Sequence, residues 1–414
     1  MEKYDYLIIG GGIAGTTAAE TLKKEKPSAR VAIVSDEPYP LYSRILLSKP
    51  NLFLGKIPFE TIWMRQPEHY AERGIDFLSG HRAEQLSTKD NKVTLDDGIE
   101  LGFGQLLLAT GCPVRQLNVP GLAEKTGVSY MKTVNDAQAV MTEIKHAKRA
   151  VVIGAGFVSF EMCNLLRLAG LGVDVVVRES YFWEPVLDQD AGQIIERALI
   201  GGGVTVRLNS EIAEVLGQDK VEGVKLKDGT SIDCDLLVIG IGVQFDGGWL
   251  EQAGITVGRG IRTNEYLKTN LDGIWAAGDV AELNDPAIGE PYICGTWLDA
   301  QEQGRTAALN MLGKRLPYRI VSSYTSHGFG LSLVFVGQVR CKDSQLFPRG
   351  RVESNSYGCL VVRNNQRIAG AFLINRGEDL APIKSAIESA VNISNQLELL
   401  SDPESDLMAL LPKD

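Results

Sequence analysis

Two stretches of this chain follow one plan: an apolar strand, a glycine-rich turn, a helix and a second strand. In the first, Tyr6–Ile9 runs into Gly10-Gly11-Gly12-Ile13-Ala14-Gly15, a helix reaches about Lys24, and Arg30–Val34 follows. In the second, Ala150–Ile153 turns through Gly154-Ala155-Gly156, a helix runs from about Phe157 to Leu168, and Asp174–Val177 resumes. Such a βαβ unit makes a parallel pair of strands, and parallel sheets carry helices over both faces. The repeat therefore predicts an α/β protein with two Rossmann-like, three-layer dinucleotide-binding domains.

The turns also say what they bind. The first glycine allows the tight turn, the second lets backbone approach a pyrophosphate, and the third lets helix pack on strand, with the helix N-terminus facing the anion. Gly10, Gly12 and Gly15 fill these positions, with Ile13 and Ala14 in the turn between them. Asp36 or Glu37, about 20 residues on, is the expected partner of a ribose hydroxyl, because Ser35 takes the strand-end position where an acid often sits. The second turn keeps Gly154 and Gly156 but has Ser159 at the third small position, with Phe157 opening the helix. Beyond its second strand stand Arg178 and Glu179. An acid there favours a 2′-hydroxyl and an arginine a 2′-phosphate, so NADH and NADPH both stay open, and surface ion pairing is an equal reading of Arg178.

At roughly 150 residues per domain, 414 residues leave room for two to four domains. Glycine, at 44 residues, exceeds its usual share of about 7%, as many tight turns require. No apolar run approaches the roughly 18 residues of a membrane span. A net charge of −10 argues against nucleic acid as a partner. Six dispersed cysteines and four histidines show no metal-ligand spacing, so reduced thiols and no metal are expected. Met1–Asp5 leads directly into the first strand with no signal-peptide pattern, which gives a cytoplasmic expectation.

Elsewhere the pattern is coarser. Pro113–Gly121 reads as a hinge. Val221–Leu226, Asp228-Gly229 and Asp235–Ile239 read as an appended β-meander. From about Ser322, strands near Leu331–Val336, Leu360–Val362 and Gly370–Ile374 and an amphipathic helix from Ala381 predict a third, α+β domain, and the acidic residues after Ser401 a frayed tail.

Two further motifs, Leu107-Leu-Ala-Thr-Gly111 and the segment Thr269–Asp279 ending in Ala-Gly-Asp, join the two turns in a pattern that resembles the FAD-dependent pyridine nucleotide oxidoreductase family from about residue 3 to 376. The resemblance implies an FAD domain over 1–118 and 241–321, an NAD(P)H domain over 119–240 and an interface-like C-terminal domain over 322–414. It also implies FAD contacts from Ala109, Thr110, Gly111, Gly278 and Asp279, and cofactor contact from Gly242. Within the family, Pro40–Arg44 and Leu47–Lys49 are similar to rubredoxin reductases, ferredoxin reductases and the flavin part of nitrite reductases. That group lacks the redox disulfide, and Tyr42, Ser43 and Arg44 bring no sulfur.

By the same resemblance Lys49 should lie beside the flavin N5 edge and pair with Glu161, Arg44 should touch the FAD, and Trp297 should open a helix aimed at the flavin pyrimidine edge. Ordinary ion pairing is the rival reading of Arg44, a core aromatic that of Trp297, and His327 is read as structural. The activity implied is hydride transfer from NAD(P)H to FAD, then electron transfer to a small carrier of the rubredoxin or ferredoxin class, by a monomer or homodimer. An NAD(P)H oxidase or quinone reductase and a nucleotide-responsive flavoprotein like apoptosis-inducing factor are the alternatives. Between Arg340 and Arg367, six basic residues, Arg349 and Arg351 among them, face Asp343 and Glu353, a net of +4 that would suit an acidic carrier.

Overall fold

The structure is a computed structural model that describes residues 1–123, 125–284, 290–364 and 366–411. The chain divides into two compact units: Met1–Ser43 with Glu60–Pro113 and Val243–Ile320, and Arg44–Phe59 with Val114–Gly242 and Val321–Asp414.

The first unit is built on one sheet ordered Ile75–Ser79, Val31–Ser35, Glu2–Ile9, Glu100–Leu108, Lys92–Leu95, Ala83–Ser87, with Ile274–Ala276 added to Glu100–Leu108. Its central pairs are parallel, and Ala83–Ser87 and Lys92–Leu95 form an antiparallel edge. The helix Ile13–Glu25 buries a face of small residues, Ala14, Gly15, Ala18 and Ala19, so it sits close to the strands. The helix Trp297–Met311 comes close to it in turn, for a side chain at Gly304 would lie 2.1 Å from the Ala14 carbonyl oxygen. Strands Ile261–Asn264, Ala281–Asn284 and Tyr292–Ile293 form a small separate sheet.

In the second unit a parallel sheet is ordered Val204–Arg207, Gly172–Val176, Arg149–Ile153, Leu236–Ile239, Val128–Ser129. Here one expectation is corrected. The meander holds only Ile212–Leu216, Gly223–Leu226 and Ser231–Asp233, whereas Leu236–Ile239, buried throughout, lies parallel to Arg149–Ile153 inside the main sheet. Its unbroken apolar run is what a strand covered on both faces carries.

The third sheet, also in this unit, is antiparallel and ordered Ser323–Gly328, Leu331–Gly337, Arg367–Ile374, Ser356–Arg363, Ser344–Arg351. Helix Leu380–Glu388 packs Ile383 and Ala386 into a core with Val334, Val336, Leu360 and Leu373. The frayed tail is a second correction: Leu407 and Leu410 are buried in that same core, as is Leu400 just before Ser401, and of the residues after Ser401 only 412–414 lie outside the described ones. A third concerns Arg349, expected on a docking face. It is 2% exposed, its Nε stands 3.1 Å from the Asp379 carboxylate, and its terminal nitrogens donate to the carbonyls of Leu399, Leu400, Pro403 and Ser405. Arg349 anchors the C-terminal segment and is no part of a surface.

Candidate active site

The first glycine turn is shaped by two close approaches. Gly10 has φ 121°, and a side chain there would fall 2.1 Å from the Ala109 carbonyl oxygen; one at Gly15 would fall 1.9 Å from the oxygen of Gly10. At Gly12, which caps the helix, nothing lies within 4 Å of where a side chain would project, and no side chain caps the helix. The backbone N–H groups of Ile13 and Ala14 thus stand at an uncapped N-terminus beside open space, which fits a pyrophosphate group of FAD. Asp36 is exposed; Glu37 is half-buried and accepts the Tyr42 hydroxyl at 2.6 Å.

Other residues of this unit border the same strand ends. Ala109 is buried at the end of Glu100–Leu108 and donates its N–H to the Ile9 carbonyl, while Thr110 is exposed and Gly111 has φ 63°. Gly278, at φ 81°, donates its N–H to the Gln303 side-chain oxygen at 2.8 Å, and the Asp279 carbonyl accepts the Cys112 thiol at 3.3 Å. Trp297 is half-buried in the first turn of its helix. Thr296 caps that helix, and the buried Asp299 carboxylate in its first turn accepts the Tyr318 hydroxyl at 2.5 Å. Burial, then Cys294 and Asp299, push the Tyr318 phenol well above its ordinary range, so it stays a donor. Gln303 and Cys112 had no signal in the sequence, because each acts on backbone supplied by a distant segment, and Asp299 meets the side chain of a tyrosine 19 residues on.

The second turn repeats the geometry. Gly154 has φ 110°, with a notional side chain 2.4 Å from the Gly240 oxygen, and Gly156 again caps a helix facing open space. Ser159 fills the third position by turning its hydroxyl back to the carbonyls of Ile153 and Gly240. This cradle fits a second dinucleotide on the same grounds. Phe157 meets Tyr324, Trp183 and Phe335 edge-on, with centroids 4.2, 4.6 and 4.8 Å away. Arg178 is exposed and bonds to the Glu179 carboxylate at 2.8 Å; Glu179 is the more sheltered of the two, and its carbonyl accepts the Asn209 N–H. Gly242, at φ 89°, is exposed, and its carbonyl accepts the Arg115 N–H.

The structure brings Lys49 and Glu161 together. Lys49 precedes the short helix Pro50–Phe53, Glu161 lies on Phe157–Leu168 with 5% exposure, and Nζ is 2.5 Å from Oε1. Ser48 donates to Oε2, and Tyr324 and Ser326 donate to Oε1 at 3.0 and 2.8 Å. Burial first, and then the Glu161 charge, push the Tyr324 phenol upward. Ser48, Tyr324 and Ser326 are the residues the sequence reading missed. Arg44 donates to the Lys132 carbonyl at 3.0 Å, and His327 is exposed.

Over residues 4–304 the chain matches the pyridine nucleotide-disulphide oxidoreductase family. The chain belongs to that family. It is an FAD-dependent oxidoreductase that uses a pyridine nucleotide. None of its six cysteines forms a disulfide. It is 30% identical, over 99% of both chains, to the ferredoxin reductase subunit of a 5,5'-dehydrodivanillate O-demethylase from Sphingobium sp.. It is 31% identical to an NADH oxidase of Methanocaldococcus jannaschii, over 74% of this chain and 70% of that one. A solved ferredoxin reductase from Rhodopseudomonas palustris superposes with a TM-score of 0.88 at 28% identity, covering 98% of this chain and 99% of the other. Among the described residues, no helix is long and apolar enough to cross a membrane.

Proposed function

We propose that this flavoprotein passes electrons from NADH to a small iron–sulfur carrier of the ferredoxin class. The observation that carries the reading is the Lys49–Glu161 pair in a chain none of whose six cysteines forms a disulfide. A fixed cation and carboxylate orient reactants without becoming reduced themselves, so both electrons must leave to an external acceptor. Bound FAD supplies the chemistry, taking a hydride and giving up its electrons singly.

The chain's own residues hold and orient. In this reading Gly10, Gly12, Ile13, Ala14 and Gly15 hold the FAD pyrophosphate, Asp36 or Glu37 its ribose, and Arg44, Ala109–Gly111, Gly278, Asp279 and Trp297 the rest. Gly154, Gly156, Phe157, Arg178, Glu179 and Gly242 serve the second nucleotide. Lys49, fixed by Glu161, sets the charge against which nicotinamide and flavin are aligned, with domains over 1–118 and 241–321, 119–240 and 322–414. Six cysteines outside any disulfide agree with a cytoplasmic setting.

Two finer points follow from charge. Glu179 is the sheltered acid beyond the second cradle and its neighbour's guanidinium is already engaged, which favours a ribose 2′-hydroxyl over a 2′-phosphate. NADH should therefore exceed NADPH in kcat/KM, and Glu179→Ala should shrink that ratio by about tenfold. In the C-terminal sheet Arg363 pairs across from Arg367 and Ser344 from Arg363, which gathers Arg363 and Arg367 near the Arg340–Lys342 connection at one sheet end. An acidic carrier fits that end. The double change Arg340→Glu/Arg367→Glu should raise the KM for a ferredoxin at low salt and leave reduction of a small dye unaltered.

Anaerobic titration of the yellow protein with NADH, followed by addition of oxidised ferredoxin, tests the whole reading. Bleaching by NADH and prompt return of colour with ferredoxin support it. The likeness to an NADH oxidase motivates one rival. Rapid turnover with oxygen alone, and slow reoxidation by ferredoxin, would favour the oxidase.

A further inference from the structure

We propose that Ser48, Tyr324 and Ser326 are positioning residues that act through Glu161, holding its carboxylate so that the Lys49 ammonium is presented in one place. This rests on the reading that Lys49 serves hydride transfer. The observation is the gathering of four donors on a single buried carboxylate. A carboxylate offers about four acceptor sites, and this one receives Lys49, Tyr324 and Ser326 on Oε1 and Ser48 on Oε2. None of these donors comes from the helix that carries Glu161.

The source of each donor follows from backbone geometry. Tyr324 and Ser326 stand two apart on the strand Ser323–Gly328 and so share one face, while Thr325 and His327 between and beyond them are exposed on the other. Ser48 precedes Lys49, so one turn of chain delivers two donors to the two carboxylate oxygens. The arrangement has a physical reason. An exposed ion pair is loose, and a buried one is stable only when further hydrogen bonds satisfy the carboxylate. Lys49 is partly exposed and Glu161 is not. Without the hydroxyls, Glu161 would be a poorly solvated charge free to turn, and Lys49 would turn with it. The Tyr324 ring also packs edge-on against Phe157, at the start of the second cradle's helix, which limits the orientations the phenol can take.

The test uses the holoprotein with Tyr324→Phe and Ser326→Ala, singly and combined, each made also in a Lys49→Met background, and with Ser326→Thr as the hydroxyl-retaining control. Two readouts are taken: the anaerobic stopped-flow rate of flavin reduction by NADH, and pulse acetylation of lysines followed by mass spectrometry. With Lys49 present, the combined variant should lose about tenfold in reduction rate, and Ser326→Thr should stay near the parent. With Met at 49, the same two changes should alter the lower residual rate by less than about twofold, because the group they act through is gone. Acetylation of Lys49 should rise several-fold in the combined variant while that of the exposed Lys227 stays constant.

Equal rate losses in both backgrounds, or Lys49 labelling that does not change, overturn the proposal. A rise in labelling at all lysines alike would mean a general loss of structure and also overturns it. If the unmodified protein is not reduced by NADH at all, the functional reading fails, and Lys49 labelling alone then decides whether the hydroxyls hold the ammonium.

Discussion

Glycines that look alike in sequence do different work at the residue scale. A side chain at Gly10 would collide with the Ala109 carbonyl and require a positive φ, whereas one at Gly12 would project into open space. Gly10→Ala should therefore destabilise the protein by about 1–3 kcal/mol, read from urea unfolding of the FAD-free form. Gly12→Val should leave that unfolding curve near the parent and weaken FAD binding at least tenfold in a flavin-fluorescence titration, since the added methyl groups would take up the pyrophosphate's space. The same contrast marks what was legible. Spacing and flanking apolar runs reveal a glycine turn because all its constraints are local. The hydroxyls around Glu161 are not legible, because Ser48 is 113 residues from it and Ser326 165 residues away.

Elements show the same limit. Helix Phe157–Leu168 announces itself by a glycine start and a continuous apolar face, and its bounds in the structure are those expected. Leu236–Ile239 lies in a different sheet from the one its sequence suggests because a strand's partner is chosen across the fold, and parallel partners are always distant. The burial of Arg349 is hidden in the sequence for a related reason. On Ser344–Arg351 it shares with Phe347 the alternate positions that are buried, and part of its cover arrives some fifty residues later, from Leu399 to Ser405. Arg349→Ala should cost about 3–5 kcal/mol, since it removes one partner of a buried ion pair. It should also speed limited proteolysis between Leu397 and Leu411; equal cleavage rates would show that the segment is held by its leucines alone.

For the whole molecule, titrating groups set the pH range of stability. Glu20 is half-buried, which raises a carboxyl, but hydrogen bonds from Arg65 and His69 prevail and hold it below the ordinary range; backbone N–H groups of Lys148 and Arg149 do the same for Asp235. Folded pKa values below the unfolded ones give stability that is present above about pH 4 and lost as pH falls through the lowered values. Burial raises the Tyr318, Tyr324 and Tyr357 phenols, so their contribution is complete below about pH 10 and is lost above it. The urea midpoint should accordingly be flat through neutrality and fall at both ends.

The first unit's sheet also has a timetable. Glu100–Leu108 gains its last neighbour, Ile274–Ala276, from a stretch that the ribosome makes some 166 residues later. Until that stretch emerges, a growing polypeptide carries an unpaired parallel edge that invites association with other chains. Translation stalled anywhere between should yield fragments that bind chaperones or precipitate, and flavin should be captured only near the end of synthesis.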